Sequence, residues 1–206
     1  MKFDTTIKKI FILLTSLLSL LNLTSCASIQ GYTNCDVHSA SQLPSLHPSE
    51  FGVTLLSTQQ IVIKTKKDKF EFVSLLEIHP YKLNLVALTP VGQKLFQLQY
   101  QPQQLNFSGH GVPASFEPAF LLTDISLIYG KEKSLRQCFA QVKTPFSLKL
   151  SEDYAGKGMS RLLRVGGDDE ITISYSGKEV WGSNIMFKNK SRHYSIEIKS
   201  LGVERL

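Results

Sequence analysis

The chain has 206 residues, 42% of them hydrophobic and 19% charged, and a formal net charge of +6. The first 25 residues hold three lysines and Asp4, so the 181 that follow carry a mild +4, enough chain for one domain with its own core. Scattered basic residues at that level argue against a nucleic-acid surface, which is usually larger and more basic.

Lys2, Lys8 and Lys9 precede an apolar run of 12 residues, Ile10 to Leu21. That is the length of a signal-peptide core and short of the ~20 residues a spanning helix needs. Leu23-Thr24-Ser25-Cys26 follows: an aliphatic residue, two small ones and a thiol that can carry a diacylglycerol. This reads as a signal peptide over 1–25 with cleavage before Cys26 and lipid on that cysteine; the bland alternative is an ordinary secretory signal with a chance cysteine. Ala27 is not the Asp that often signals retention in the inner membrane, so the expected destination is the outer membrane, facing the periplasm. Residues 26–49, polar and turn-rich with Pro44 and Pro48, read as a tether. A single domain is expected over 50–206. After Cys26, Cys35 and Cys138 remain. In an oxidising compartment they form a disulfide or stay as two unpaired thiols, and spacing alone leaves both open.

Period-2 patterning then dominates. Ile61 and Ile63 share a face, Lys66-Lys67-Asp68 makes a polar turn, and Phe70 and Phe72 return. Tyr81, Leu83, Leu85 and Ala87 line the next strand, and Thr89-Pro90-Val91-Gly92 is a tight turn. Phe96, Leu98 and Tyr100 alternate with glutamines up to Pro102, and Leu105 to Ser108 forms a further strand. The period changes at Leu121, Leu122, Ile125, Ile128 and Tyr129, which predict a helix opened by Pro118 and stopped by Gly130. Ser134, Leu135, Cys138 and Phe139 suggest a second, shorter helix. Strands resume at Phe146–Leu150, Arg161–Val165 and Ile171–Tyr175. A last hairpin runs from about Val180 to Lys188 and back through Tyr194, Ile196 and Ile198. The expected fold is α+β: a curled, unclosed antiparallel sheet with one or two helices over its concave face, the helix 118–129 shielding an apolar cavity with Leu121, Leu122, Ile125 and Ile128.

Catalytic motifs are absent from the sequence. There is no Gly-x-Ser-x-Gly elbow, no His-Glu-x-x-His pair and no phosphate loop. Gly109-His110-Gly111-Val112-Pro113-Ala114 lacks a βαβ context and reads as a turn. Cys35 and His38 could be half a zinc site, but no second pair has matching spacing. No enzyme activity, cofactor or metal is expected.

The runs Leu85-Val86-Ala87-Leu88-Thr89-Pro90-Val91-Gly92, Leu95-Phe96-Gln97-Leu98-Gln99-Tyr100-Gln101-Pro102 and Ser134-Leu135-Arg136-Gln137-Cys138 resemble matching stretches of LolB, the outer-membrane receptor of lipoprotein localisation. The chain is most similar to an uncharacterised family of short proteobacterial lipoproteins with the Leu-Thr-Pro-Phe/Val-Gly-Gln turn. The resemblance implies a LolA/LolB-like half-barrel whose cavity takes acyl chains, and a turn, here Pro90, Val91 and Gly92, that meets the membrane. The implied function is non-catalytic: binding or handing over an acyl-type ligand or a lipoprotein. The alternative is an accessory envelope lipoprotein with a side-chain-filled core that binds protein partners.

Overall fold

Alternating apolar residues build ten strands that pair antiparallel, each with its neighbour, into one sheet. In the computed structural model the described residues are 34–38, 43–110, 112, 117–143, 145–152, 158–165 and 169–206. The chain divides into two units, Met1–Tyr32 and Thr33–Leu206, and every described residue belongs to the second. Short strands β1 (Cys35–Val37) and β2 (Pro44–Leu46) pair with each other. The main sheet holds β3 (Leu55–Lys64), β4 (Lys69–His79), β5 (Lys82–Leu88), β6 (Lys94–Gln101), β7 (Gln104–Gly109), β8 (Phe146–Glu152), β9 (Met159–Val165), β10 (Asp169–Tyr175), β11 (Ile185–Asn189) and β12 (Tyr194–Arg205). Their order is β7-β6-β5-β4-β3-β12-β11-β10-β9-β8, so β7 and β8 are free edges and the sheet is unclosed, as expected.

Among the described residues two α-helices interrupt the strands, α1 (Pro118–Tyr129) and α2 (Glu132–Gln141). Among the described residues no helix is long and apolar enough to cross a membrane. Proline in the first turn opens α1, where a missing N–H costs nothing. Gly130 stops it by close approach rather than by a left-handed backbone. Its φ is −64°, and a Cβ there would meet the Leu46 side chain and the Ser126 carbonyl.

From Leu121 to Tyr129 helix α1 is buried, packed between the sheet and β2, while Pro118 and Phe120 at its start are half-buried. The sheet side is fixed by polar contacts within the core. Gln59 Nε2 donates to the Tyr129 hydroxyl (2.7 Å) and to Ser57 Oγ (3.0 Å). On the β2 side, the Leu46 amide donates to Ser126 Oγ (3.0 Å), and Ser45 and Thr123 hydroxyls meet at 3.3 Å. At the carboxyl end of α1, buried Arg161 reaches from β9. Its Nη1 donates to the carbonyls of Leu127, Ile128 and Gly130 at 3.0, 3.2 and 2.9 Å, and Tyr175 donates to the Ile128 carbonyl at 2.6 Å. A cation on the free carbonyls of a helix end satisfies them and complements the helix dipole.

The expected tether over 26–49 is shorter than its composition suggests. Residues 34–38 and 43–49 pack into the domain: Cys35, Leu43 and Leu46 lie in the core with Phe51. Asp36 is the clamp. It accepts from Tyr100 (3.0 Å), from His47 (3.1 Å) and from the Gln103 amide. Burial alone would raise its pKa, but these hydrogen bonds bring it below the usual carboxylate range. Three-residue strands show no period, so composition alone reads as linker. Cys35 and Cys138 are joined as a disulfide between β1 and α2, their Cα atoms 5.7 Å apart. That bond also removes Cys35 from any zinc site. The unit Thr33–Leu206 contains this bond and the core cluster of the described residues, so it carries its own hydrophobic core and is expected to fold alone.

Candidate functional site

A pocket of about 470 Å³ opens at one end of the sheet. Antiparallel pairing fixes which turns share that end. Lys64 pairs with Lys69 and with Ser195, Asn189 with Tyr194, and Leu88 with Lys94, so the turns at 65–68, 190–193 and 89–93 form a common rim. Ile63 of β3, Phe70 of β4, Phe120 and Leu121 of α1 and Ile196 of β12 supply apolar walls. A groove of about 590 Å³ also runs over the outer face of β3 and β12, but it is lined by outward-pointing side chains such as Gln60, Glu197 and Lys199. The rim pocket, less open than the groove and with a few convergent polar groups on apolar walls, is the better candidate for a ligand.

Its polar groups are Asp124, Tyr194 and Arg192, with Glu117, Thr65 and Asp68 at the mouth. Asp124 sits on the inner face of α1, and its Oδ2 accepts from the Tyr194 hydroxyl at 2.6 Å. Burial pushes the Asp124 carboxyl up to about 7; the Tyr194 hydrogen bond and the Arg192 charge pull the other way without cancelling it. Tyr194 is raised well above its ordinary value, first by burial and then by the Asp124 charge. The Arg192 guanidinium lies 3.8 Å from the centre of the Phe120 ring, a cation–π contact at the mouth. Near neutral pH the pocket therefore holds a carboxyl that is partly neutral, a tyrosine hydroxyl and one cation on otherwise apolar walls.

A second, smaller space lies further in. A void of about 20 Å³ under α1 shares Ile63, Leu121, Asp124 and Ile196 with it and extends to Leu76, Leu85, Ile125 and Ile128. The expected cavity beneath α1 is thus nearly filled by side chains, and the open volume lies at the helix's amino-terminal end. Leu121 lines both spaces, Ile125 and Ile128 line only the inner one, and Leu122, 0% exposed, packs away from both.

The turn at Pro90, Val91 and Gly92 projects from the rim. The Gly92 amide donates to the Thr89 carbonyl (2.9 Å) and the Thr89 amide to Gln93 (2.8 Å); Gly92 adopts φ 86°, which suits glycine. Val91 is 84% exposed. Cys26 lies outside the described residues, as does most of the stretch from Gly111 to Ala114. Sequence reading missed Asp124, Arg192, Tyr194, Phe120 and Ile63 as site residues. A signal existed for Asp124, the one charged residue inside an apolar helical run. Arg192 sits in a polar turn and gave none.

Every wall of the pocket falls between β3 and β12, and one family profile, described as Protein of unknown function (DUF3261), matches residues 56–202. The chain belongs to the DUF3261 family. The family's matched region thus includes the pocket residues, the Val91 turn and both helices. No curated protein matches the chain. Among solved structures, the chain is similar to a domain from Vibrio parahaemolyticus described as an outer membrane lipoprotein-sorting protein domain. The identity is 10%, with 74% of this chain and 85% of that chain covered and a TM-score of 0.35.

Proposed function

We propose that this DUF3261 protein is a non-catalytic envelope lipoprotein that binds an acyl-type hydrophobic ligand, or the acyl chains of another lipoprotein, in the rim pocket and hands it on. The observation that carries this reading is the apolar rim pocket of about 470 Å³, which shares four wall residues with the small void beneath α1. A chain entering past Phe120 and Phe70 has an apolar track of β3, β12 and α1 side chains to follow. Each buried methylene contributes about 0.8 kcal/mol, so a track a few methylenes long already supports useful affinity. Native mass spectrometry of residues 33–206 purified from cells tests it: acyl species that copurify support the reading, and none at any loading contradicts it.

The anchor belongs to the same proposal. Cleavage before Cys26 would place an acylated cysteine on the outer membrane, facing the periplasm. In cells fed labelled palmitate, the parent should take up label and Cys26→Ser should not. In this reading Pro90, Val91 and Gly92 contact a membrane surface, which the exposure of Val91 supports.

One observation favours the accessory-protein alternative: α1 is buried from Leu121 to Tyr129 and the inner void is small. In that reading the rim pocket receives an apolar side chain of a protein partner, and no acyl species copurifies.

A further inference from the structure

The rim around the pocket is unevenly charged. Three of its cations are neutralised within the sheet: Lys64 by Glu197, Lys69 by Glu71 and Lys190 by Glu170. Five others have no carboxylate within ion-pair distance among the described residues. Lys66 and Lys67 form the 65–68 tip, Lys94 follows the 89–93 turn, and Lys188 and Arg192 flank the 189–193 turn. All are exposed except Arg192, which is half-buried at the mouth. Against them stand Asp68 and Glu117 at the pocket mouth. At the other end of the sheet His79 and Lys82 share Glu77, while Lys178 and Arg205 have no ion pair among the described residues and each has a glutamate as its sequence neighbour, Glu179 and Glu204. Around the pocket mouth the unpaired cations thus outnumber the acids, and they cluster in the turns of two neighbouring hairpins.

We infer that this rim docks on an anionic phospholipid surface, with Lys66, Lys67, Lys188 and Arg192 facing the headgroups and the pocket mouth held against the bilayer. Lys64 and Lys188 both pair opposite Ser195, so the 65–68 and 190–193 turns stand side by side and Lys66, Lys67, Lys188 and Arg192 can reach a plane together, whereas an acidic patch on a folded protein would have to match their spacing. Each lysine or arginine near an anionic membrane adds attraction that fades within a Debye length. The docking goes beyond the carrier reading and does not depend on it: a protein with an empty or filled pocket would dock alike.

The test is co-sedimentation of residues 33–206, without added ligand, on vesicles of phosphatidylcholine alone or mixed with phosphatidylglycerol. The structure predicts binding to the mixed vesicles only, lost when ionic strength rises from about 0.05 to about 0.5 M. Lys66→Glu with Lys67→Glu should weaken it about tenfold or more. Lys178→Glu with Lys199→Glu, away from the rim, should leave it unchanged; circular dichroism verifies that both pairs fold. Equal binding to both vesicle types, equal loss in both double variants, or retention by soluble polyglutamate but not by vesicles would each overturn the inference, the last pointing to an acidic protein partner. Because no acyl ligand is present, failure here leaves the carrier reading intact, and copurifying lipid cannot rescue it.

Discussion

The Tyr194 hydroxyl donates a 2.6 Å hydrogen bond to Oδ2 of Asp124, joining the first residue of β12 to the middle of α1 at the pocket wall. Both groups are buried, and neither would sit there in a purely apolar core without the other.

This pair predicts an unusual pH dependence. Asp124 has an ordinary carboxylate pKa when unfolded and about 7 when folded. Between about 4 and 7 the folded chain holds a proton that the unfolded chain has released, so this group's contribution falls as pH rises through that window and is flat above it. Asp124→Asn keeps an acceptor for Tyr194 and removes the titration. Urea melts at pH 5 and pH 8 should show the variant gaining on the parent at pH 8, by on the order of 3 kcal/mol relative to pH 5. An unchanged difference between the two pH values would mean Asp124 is not the buried titrating group.

Arg161 closes the carboxyl end of α1 on three carbonyls. Arg161→Met should destabilise the fold by about 3 kcal/mol, because it strips a charged donor from buried acceptors. Arg161→Lys retains the charge but not the planar fork and should fall between the two. Chemical denaturation of the three proteins measures this. A loss below about 0.5 kcal/mol in Arg161→Met would mean water replaces the guanidinium.

The Cys35–Cys138 bond spans 103 residues of sequence. On the chain-entropy view, a loop of that length stabilises by at most about 4–5 kcal/mol. Cys138→Ser in protein exported to an oxidising compartment should lower the melting temperature clearly and free β1 to proteolysis. Mass mapping without reductant should recover the linked peptides from the parent, and two alkylated thiols there would contradict the pairing.

Much of this fold is legible in the sequence because its signals are local. The alternation Ile61–Ile63, Phe70–Phe72 and Leu83–Leu85–Ala87 marks strands whose inner residues are buried, except Ile63 and Phe70, which are half-buried at the pocket. The spacing of Leu121, Leu122, Ile125 and Ile128 marks α1 to the residue. What was hidden depends on partners far along the chain. Strands β1 and β2 are three residues long and owe their order to Asp36, α1 and the disulfide. The last strand extends to Arg205, well past Ile198, because it pairs with the start of β3. A bulge between Ser200 and Gly202 breaks the alternation that would have revealed it. Tyr81, read as an inner strand residue, lies in the β4–β5 turn, exposed and stacked on His79. The pocket was hidden for the same reason: Ile63, Phe120 and Arg192 meet only through the sheet order β4-β3-β12.

The central claim is that the rim pocket takes an acyl chain. Titrating residues 33–206 with a fluorescent long-chain fatty acid tests it most directly, using two variants on one strand. Ile63→Glu puts a charge on the pocket wall, and Val62→Glu puts the same charge on the outer face of β3. Saturable binding in the parent, weakened about tenfold or more by Ile63→Glu and untouched by Val62→Glu, is the predicted result. Absence of saturable binding in a folded parent, or equal weakening by both variants, would contradict the account.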